Sequence, residues 1–160
     1  MTRSEIRARI LESLNDSVSS PVFWSTSEID DVIGEGQEVL AEELAIIKRS
    51  ALVPLREGVT YYYTQAVAAD IMVPYRLFLT ELDKRLDVVT MRQLDERHET
   101  WITISGDPWH WFPVSWDIFG IFPHPAEAGG VLRLDYLAWP QAPADDDQEL
   151  EFSEPEQDAL

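Results

Sequence analysis

The sequence predicts an α+β fold: an N-terminal helical hairpin or bundle, an inserted small antiparallel β-sheet or sandwich, and an extended acidic C-terminal tail. Apolar residues recur at helical spacing in the N-terminal part, whereas β-forming and turn residues dominate from residue 59 onward. Eight of the 30 acidic residues lie in residues 145–160, which contain no basic residue. Helices followed mainly by strands are typical of α+β domains. We therefore expect one domain at residues 1–140 and an acidic arm at residues 141–160.

Two helices are predicted in the N-terminal part, and the start of the second is clearly marked. Ser25 and Glu28 have the spacing of a capping box, with Trp24 and Ile29 placed as the hydrophobic staple around it. The apolar repeat of this helix consists of Ile29, Ile33, Leu40, Leu44 and Ile47. The repeat predicts an amphipathic helix that continues to about Arg49.

Two glycines interrupt this second helix. Gly34 and Gly36 would each cost about 1 kcal/mol relative to alanine in a helix interior. Two structural explanations remain open: close packing of the helix against another helix, or a kink. We favour these explanations over a functional role for either glycine.

Strands and short helices alternate after the second helix. Residues 59–65 (VTYYYTQ) are dense in β-forming residues and predict a strand. Residues 71–86 are ambiguous between an edge strand and a helical segment. Thr90 and Gln93 have the spacing of a second capping box, which predicts a short helix that ends at about Glu99.

Three or four further strands are predicted towards the C-terminus. Residues 101–105 predict one strand, residues 110–122 predict one or two strands broken at Pro113, and residues 131–139 alternate between two faces. The apolar face of this last strand would carry Leu132, Leu134 and Tyr136, and the polar face Arg133 and Asp135.

Residues 101–140 form a block with an unusual composition. It holds five of the six tryptophans and half of the prolines, but Arg133 is its one lysine or arginine. Aromatic residues punctuated by proline and glycine are typical of short strands and turns with much contact surface and few reactive groups. The block therefore favours a protein that assembles or binds over one that catalyses a reaction.

The chemistry-bearing residues do not form a recognisable reactive set. The absence of cysteine excludes disulfides, thiolate catalysis and cysteine-type zinc sites. His98, His110 and His124 have no spacing that would place two of them on one face for a metal. The acidic run at residues 145–147 lacks the glycine and terminal glutamate of a calcium loop. No serine-nucleophile, phosphate-loop or dinucleotide motif occurs. We expect no enzymatic activity, no metal and no cofactor.

The charge balance constrains the partners. The chain has 12 basic and 30 acidic residues, a formal net charge of −18, and its basic residues are scattered. Generic binding to nucleic acid requires clustered cations, so it is not expected. The acidity either keeps the protein soluble or prevents adhesion to nucleic acid that passes nearby. No apolar run reaches the length of about 18 residues that would predict a membrane span.

The tryptophans around residue 110 allow three interpretations. Alternation along a strand would place Trp109 and Trp111 on one face, with His110 on the other. The two rings could belong to the core, could be exposed anchors for a partner subunit, or could form a stacking platform for sugars. The third interpretation corresponds to a different function, a carbohydrate- or receptor-binding module that uses the tryptophan-rich strands.

Four segments carry a family resemblance: FWSTSEIDDVIGEGQEVLAEE, PLREGVTYYYT, DIMVPYRLFL and ISGDPWHWFPVSWDIFGIFPHPAEAGGVLRLDYLAWP. Over residues 3–140 the sequence resembles the head-to-tail adaptor (connector) proteins of tailed bacteriophages. In that family a short and a longer helix precede a β-rich part with the pattern G-x-P…W-x-P…P-x-P…L-x-L-x-Y. The residues that carry this pattern here are Gly106, Pro108, Trp111, Pro113, Pro123, Pro125, Leu132, Leu134 and Tyr136.

The resemblance implies a non-enzymatic component of the virion neck that assembles in the host cytoplasm. Such adaptors form a homo-oligomeric ring, usually a dodecamer, beneath the portal protein and extend the DNA channel towards the tail or neck proteins. DNA would pass through the ring without sequence-specific binding, and no membrane would be involved. Relatives tend to continue into a further C-terminal helix, so we expect the acidic arm of this chain to act as a docking arm.

Aromatic residues would supply the contacts between subunits of such a ring, because aromatic anchors dominate interface energetics. The candidates are Trp109, Trp111, Trp116, Phe119, Phe122 and Phe152.

Overall fold

The computed structural model describes residues 1–19, 23–97, 99–143 and 145–151. The chain divides into two compact units, a helical unit of Met1–Ile47 with Trp139–Leu160 and a sheet unit of Lys48–Ala138. The described residues contain three α-helices and two small sheets, so the predicted α+β class is confirmed. The division into a domain at 1–140 and an arm at 141–160 stays a prediction, and the boundaries of the compact units lie elsewhere.

Both helices of the helical unit begin with a capping box. These helices are α1 (Arg3–Ser13) and α2 (Thr26–Leu44). At the start of α2, the Glu28 backbone N–H donates to Ser25 Oγ at 3.3 Å, and the Ser25 N–H donates to Glu28 Oε2 at 2.9 Å. The capping box predicted there is confirmed. Thr2 and Glu5 form an equivalent box at α1, which was not predicted from the sequence.

The second helix ends earlier than predicted. Ala45, with φ of 50°, adopts the left-handed conformation and donates its N–H to the Ala41 carbonyl, which terminates α2 at Leu44. The predicted end at about Arg49 is wrong, because Lys48–Pro54 instead forms a strand that pairs with Val131–Ala138. Long-range strand pairing here overrides the local helical pattern.

The buried face of α2 differs from the predicted apolar repeat. Ile29, Ile33, Gln37 and Ala41 are buried, and Ile29 and Ile33 pack in a core with Leu11 and Leu150. Two residues of the predicted repeat, Leu40 and Leu44, are 46% and 56% exposed. The helix therefore carries more apolar surface than its unit buries.

The glycines of α2 are not explained by close packing. Apart from the adjacent residues and the nearby backbone of the helix itself, no heavy atom of the described residues lies within 4 Å of a Cβ placed on Gly34 or Gly36. The close-packing interpretation is therefore wrong for both positions. At Gly36 the open space forms part of a groove on the surface of the helix.

The sheet unit contains eight strands and one helix among its described residues. They are β1 (Lys48–Pro54), β2 (Tyr61–Tyr63), β3 (Ile71–Leu79), β4 (Lys84–Arg85), β5 (Asp87–Val88), α3 (Met91–Arg97), β6 (His110–Pro113), β7 (Ile118–Phe122) and β8 (Val131–Ala138). One sheet has the order β1-β8-β3-β4, with antiparallel pairs throughout. The other has the order β2-β7-β6-β5, in which β5 and β6 are parallel.

Most of the predicted strands are present in the sheet unit. Residues 110–122 form two strands separated after Pro113, and the ambiguous segment at 71–86 is mainly the strand β3. Thr90 and Gln93 form the predicted capping box before α3. The strand predicted at 101–105 is wrong, because Trp101–Thr103 forms a 3-10 turn.

Aromatic packing fixes the second sheet. Phe112 and Phe119 are fully buried, and the Trp101 ring meets Phe112 edge to face at a centroid distance of 5.4 Å. Gly120 is required for this arrangement, because a Cβ there would lie 2.2 Å from Phe112 Cζ. The Trp101 indole N–H donates to Asp95 Oδ1 at 2.8 Å, which satisfies its polar atom within the core.

Asp135 is buried, although alternation predicted it on a polar face. Its carboxylate accepts from Ser50 Oγ at 2.7 Å and from Arg76 Nε at 2.9 Å. Ser50 lies on β1 and Arg76 on β3, the two strands that flank β8, so the buried charge is paired across three strands.

Candidate interaction surfaces

The structure separates the predicted contact residues into two groups. Trp111, Phe119 and Phe122 are at most 3% exposed, because the core of the sheet unit encloses them. These three residues were predicted to contact another subunit, but in this conformation they are not accessible to one. Trp109 and Trp116 are 42% and 84% exposed and stay candidates, while Phe152 lies outside the described residues.

Trp116 stands at the tip of the β6–β7 hairpin. The backbone N–H groups of Val114 and Ser115 both donate to the Ile118 carbonyl, at 3.0 and 3.2 Å. Ser115 Oγ donates to Asp117 Oδ1 at 2.6 Å, which adds a side-chain constraint to the turn. The exposed indole is thus carried on a well-defined turn, as a rigid aromatic anchor requires.

A groove of about 380 Å³ lies beside this tryptophan. It is lined by Met72, Val73, Pro74, Pro113, Val114, Ser115 and Trp116. We refer to the groove and Trp116 together as the aromatic tip. Its lining is mainly apolar, so a partner could bury hydrophobic surface there.

Trp109 does not form a sugar-stacking platform with Trp111. Trp111 is buried, and Trp109 instead stacks on His110 at a centroid distance of 4.4 Å. His110 is itself buried, and this burial lowers its pKa below the ordinary value, although the Asp87 carboxylate acts in the opposite direction. The paired-platform interpretation of these tryptophans is therefore wrong.

A second groove runs along α2 in the helical unit. It has a volume of about 330 Å³ and is lined by Met1, Ile6, Ile10, Val32, Ile33, Gly36, Gln37, Leu40 and Leu150. We call it the α2 groove. Val32 and Leu40 lie four residues to either side of Gly36, so they share its face of the helix. Leu40 was part of the apolar repeat predicted for this helix, and the groove was not predicted from the sequence.

One polar group in the α2 groove lacks a partner. Gln37 is 6% exposed, and its Nε2 makes no hydrogen bond with any described residue. A buried unpaired amide costs about 1–3 kcal/mol, so such a group is usually satisfied by a partner or by water.

The surface around this groove is strongly acidic. The nineteen residues of α2 include seven carboxylates and no lysine or arginine. Glu35 and Glu43 are exposed and each lies four residues from Val39, itself 58% exposed. The helix therefore presents apolar side chains bordered by negative charge.

Arginines hold the first part of the acidic arm against α1. Asp146 accepts from Arg7 Nη1 and Nη2, both at 3.0 Å, and from Arg3 Nε at 2.9 Å. The hydrogen bonds from Arg7, followed by those from Arg3, lower the pKa of Asp146 to about 2. Backbone bonds from Ser4 to Asp146 and from Leu150 to Met1 extend the contact.

A surface of mixed charge lies where the outer strands of the two sheets follow each other in the chain. β4 and β5 each end the order of their sheet, and Leu86 between them is buried. Lys84 and Arg85 are exposed and make no ion pair within the described ranges. The two cations lie among three exposed carboxylates, Glu81, Asp83 and Asp87, so the charge of this surface is mixed. Leu82, Val88 and Met91 are the exposed apolar residues here.

Neither a metal-ligand cluster nor a membrane-spanning helix occurs in the described part of the chain. No group of three or more histidine, cysteine, aspartate or glutamate side chains there could hold a metal ion. Among the same residues, no helix combines the length and the apolar character needed to cross a bilayer.

These features define an interaction protein, with aromatic and apolar-acidic surfaces carried on defined helices and strands. The family model described as SU10 adaptor protein matches residues 1–159. The chain therefore belongs to the SU10 adaptor protein family, a family of phage structural adaptors. No curated protein matches the chain. The phage adaptor class implied by the sequence resemblance is confirmed at this level, and a virion component is its direct implication.

Proposed function

We propose that this protein forms a closed ring between the portal protein and the tail or neck proteins of a phage virion, where it extends the DNA channel. The observation that carries the proposal is the match of a phage adaptor family over residues 1–159. The protein acts by contact and geometry, with no catalytic residue and no cofactor. The ring assembles in the host cytoplasm, and we expect twelve copies in it.

The surfaces of one chain support a ring. Identical subunits close into a ring through heterologous contacts, in which one surface of each copy meets a different surface of the next. The chain carries two different candidate contact surfaces, the acidic apolar surface on α2 and the aromatic tip at Trp116.

The net charge suits a channel for DNA. At a net charge of −18, the protein repels phosphate groups on average, whereas a basic lumen would bind them. A repulsive wall lets a duplex slide through without being held. Sequence-specific recognition is not part of the proposal.

Two exposed tryptophans are the proposed anchors for partner proteins. Trp116 and Trp109 retain the role predicted for them, because large aromatic side chains supply most of the energy in many interfaces. The acidic arm at 141–160 is proposed to dock on a neighbouring protein beyond the point where Asp146 fixes it to α1.

Native mass spectrometry of the protein with its portal, together with electron cryomicroscopy of mature particles, tests the function. We expect a symmetric ring of this chain at the portal vertex. A protein that is monomeric in both experiments, and absent from the neck of mature particles, would refute the proposal.

A further inference from the structure

One side of the sheet with the order β1-β8-β3-β4 is incompletely covered. The register places Ser50, Asp135 and Arg76 in one row across β1, β8 and β3, and it places Leu52 and Arg133 in the next row on the same side. Leu52 is 65% exposed, and the side chains of Arg76 and Arg133 are 45% and 42% exposed. We call this side the open face and define it by six residues: Lys48, Ser50, Leu52, Arg76, Arg133 and Asp135.

The open face is positively charged, unlike the chain as a whole. β1, β3 and β8 together contain four cations and one carboxylate, and the cation on the other side of β1 is already paired. Arg76 and Arg133 share the carboxylate of Asp135, at 2.8 and 3.2 Å, whereas Lys48 makes no ion pair within the described residues. Three cations and one carboxylate give the open face a formal charge of +2. The mixed-charge strand β4 lies at the far edge of the sheet from β1 and is not part of this surface.

The α2 groove has properties that complement this face. Val32 and Leu40 remain 60% and 46% exposed beside Gly36, where the helix leaves open space. Gln37 lines the groove, and its Nε2 has no partner in the described part of the chain. Glu43, two turns after Gly36, is exposed and forms no ion pair there. A suitable occupant therefore supplies an apolar side chain, a hydrogen-bond acceptor and a positive charge.

The β1 edge of the open face provides these three groups. Leu52 is the exposed apolar side chain. The Leu55 N–H donates to the Gly130 carbonyl, so alternation along β1 directs the backbone carbonyl of Leu52 away from β8. Because β1 is outermost in its sheet, this carbonyl is an acceptor for the Gln37 amide. Lys48 supplies the positive charge four residues before Leu52.

The spacing of these groups also agrees. Leu52 and Lys48 are four residues apart on a strand, or about 13 Å. Gly36 and Glu43 are seven residues apart on a helix, or about 10 Å, and they lie on the same side of it. If α2 and β1 run in opposite directions, Leu52 over Gly36 therefore brings Lys48 close to Glu43.

We infer that the α2 groove of one copy packs on the open face of the next copy of this chain, at the β1 edge. Leu52 fills the groove over Gly36, and its backbone carbonyl accepts a hydrogen bond from Gln37. Lys48 pairs with Glu43. A helix that packs on an incompletely covered sheet buries the apolar surface of both elements. The inference rests on the proposed ring, and it identifies the two surfaces that form the repeated contact.

Two other occupants of the open face satisfy fewer groups. A DNA phosphate would pair with Lys48 but would leave Leu52 exposed. Residues 152–160 of a neighbouring copy carry three carboxylates, but they would leave the α2 groove unfilled and Gln37 without an acceptor. Contact with α2 satisfies both surfaces at once.

Cysteine cross-linking tests this contact directly, because the natural chain contains no cysteine. Leu40→Cys and Leu52→Cys chains are mixed, assembled with the portal protein and treated with a short bis-maleimide. Each chain carries one cysteine, so a linked pair on a denaturing gel joins two copies. We expect such a pair, at a yield at least about tenfold above two matched controls. The controls replace Leu40→Cys by Glu38→Cys, on the opposite side of α2, or Leu52→Cys by Leu82→Cys, at the other edge of the sheet.

Charge reversal at exposed positions provides a second readout. Glu43→Lys and Lys48→Glu should each lower the assembled fraction about tenfold, because each variant places like charges against each other. A chain that carries both reversals should recover assembly, since every contact in the ring then regains opposite charges.

Two matched reversals lie away from the contact. Glu38→Lys on α2 and Arg97→Glu on α3 make the same changes in charge at exposed positions and should leave assembly unchanged. Removal of residues 152–160 should also leave the cross-link unchanged.

The outcomes separate this inference from the proposed function. Rings that form without the specific Leu40–Leu52 cross-link overturn the contact and leave the ring intact. Loss of the cross-link on removal of residues 152–160, or duplex DNA binding that Lys48→Glu abolishes, would assign the open face to another occupant and overturn the contact. A chain that never assembles, even in mature particles, overturns both proposals. The specific cross-link, with recovery of assembly in the double reversal, supports the contact.

Discussion

Arg7 on α1 binds Asp30 on α2 through two parallel hydrogen bonds, from Nε to Oδ1 at 2.8 Å and from Nη2 to Oδ2 at 2.7 Å. This two-point geometry fixes the orientation of both side chains. The same guanidinium also binds Asp146, so one arginine connects both helices with the first part of the acidic arm. Within the helical unit, order in the arm is thus coupled to order in the helix pair.

Asp146→Asn should release residues 145–151 from α1. The uncharged amide cannot form the ion pairs with Arg7 and Arg3. Hydrogen exchange should therefore become faster at the Leu150 amide, which donates to the Met1 carbonyl. Asp147→Asn is the matched control and should leave this exchange unchanged. Equal protection of Leu150 in wild type and Asp146→Asn would contradict the anchoring role.

Acid should release the same segment. The pKa of Asp146 is lowered from 3.8 to about 2 in the folded protein. The ionised carboxylate therefore makes its full contribution to stability at pH values above 3.8, its pKa in the unfolded chain. The contribution is lost as the pH falls from 3.8 towards about 2. Exchange at Leu150 measured across this range should rise in the wild type, while Asp146→Asn should lack this component.

His110 predicts a different pH dependence. Burial lowers its pKa below 6.5, so the unfolded chain binds a proton at a pH where the folded chain does not. The neutral imidazole makes its full contribution to stability when the pH is above the pKa of His110 in the unfolded chain. This contribution is lost as the pH falls through the pKa of His110 in the folded protein. Urea unfolding at about pH 7.5 and about pH 5.5 should show a smaller loss of stability for His110→Phe than for wild type. Identical losses would contradict the assignment.

Truncation of Trp111 and Trp116, which lie five residues apart, should have different effects, the first on stability and the second on assembly. Trp111→Ala removes a buried ring and should lower the free energy of unfolding by about 3–5 kcal/mol. Trp116→Ala removes an exposed ring and should change it by less than about 0.5 kcal/mol, while assembly with partners weakens. Urea unfolding and native mass spectrometry measure the two effects. Full assembly by Trp116→Ala would remove Trp116 from the proposed anchors.

Three glycine-to-alanine substitutions distinguish the effect of helix propensity on stability from the effect of side-chain packing. Gly34→Ala and Gly36→Ala should each raise the stability by about 0.5–1 kcal/mol, because each added methyl enters open space in a helix. Gly120→Ala should lower it by about 1–3 kcal/mol, since its methyl collides with the Phe112 ring. Thermal and urea unfolding check these signs, and a destabilised Gly34→Ala would show that α2 needs glycine for another reason.

Local interactions could be predicted from the sequence with good accuracy. Ser25 with Glu28 and Thr90 with Gln93 form their capping boxes within four consecutive residues, so the sequence pattern contains all the participants. The strands β6 and β7 were similarly indicated by their composition and by the break at Pro113.

Features that depend on distant pairing could not be predicted. The strand β1 exists because it pairs with β8, whose residues lie about eighty positions later in the chain. Alternation placed Asp135 with Arg133 on a polar face, but β8 lies between two strands that supply hydrogen bonds to its carboxylate. Partners of this kind leave no signal near Asp135 in the sequence.

The candidate site was predicted only in part. The aromatic composition indicated that these residues make extensive contacts. It could not distinguish buried rings from exposed ones, because nearly all residues of β6 and β7 are buried on both faces of the sheet. The α2 groove had a usable signal, the repeat of Val32, Gly36 and Leu40 in a helix without cations. This signal was not distinctive, because Leu40 also belongs to the apolar repeat predicted for the helix.

Copies of this chain are proposed to form a ring at the portal vertex. Electron cryomicroscopy of the neck of mature particles is the decisive experiment. We expect a closed ring of identical copies of this chain that surrounds the DNA channel. A neck in which this chain is absent, or is present as isolated single copies, would contradict it.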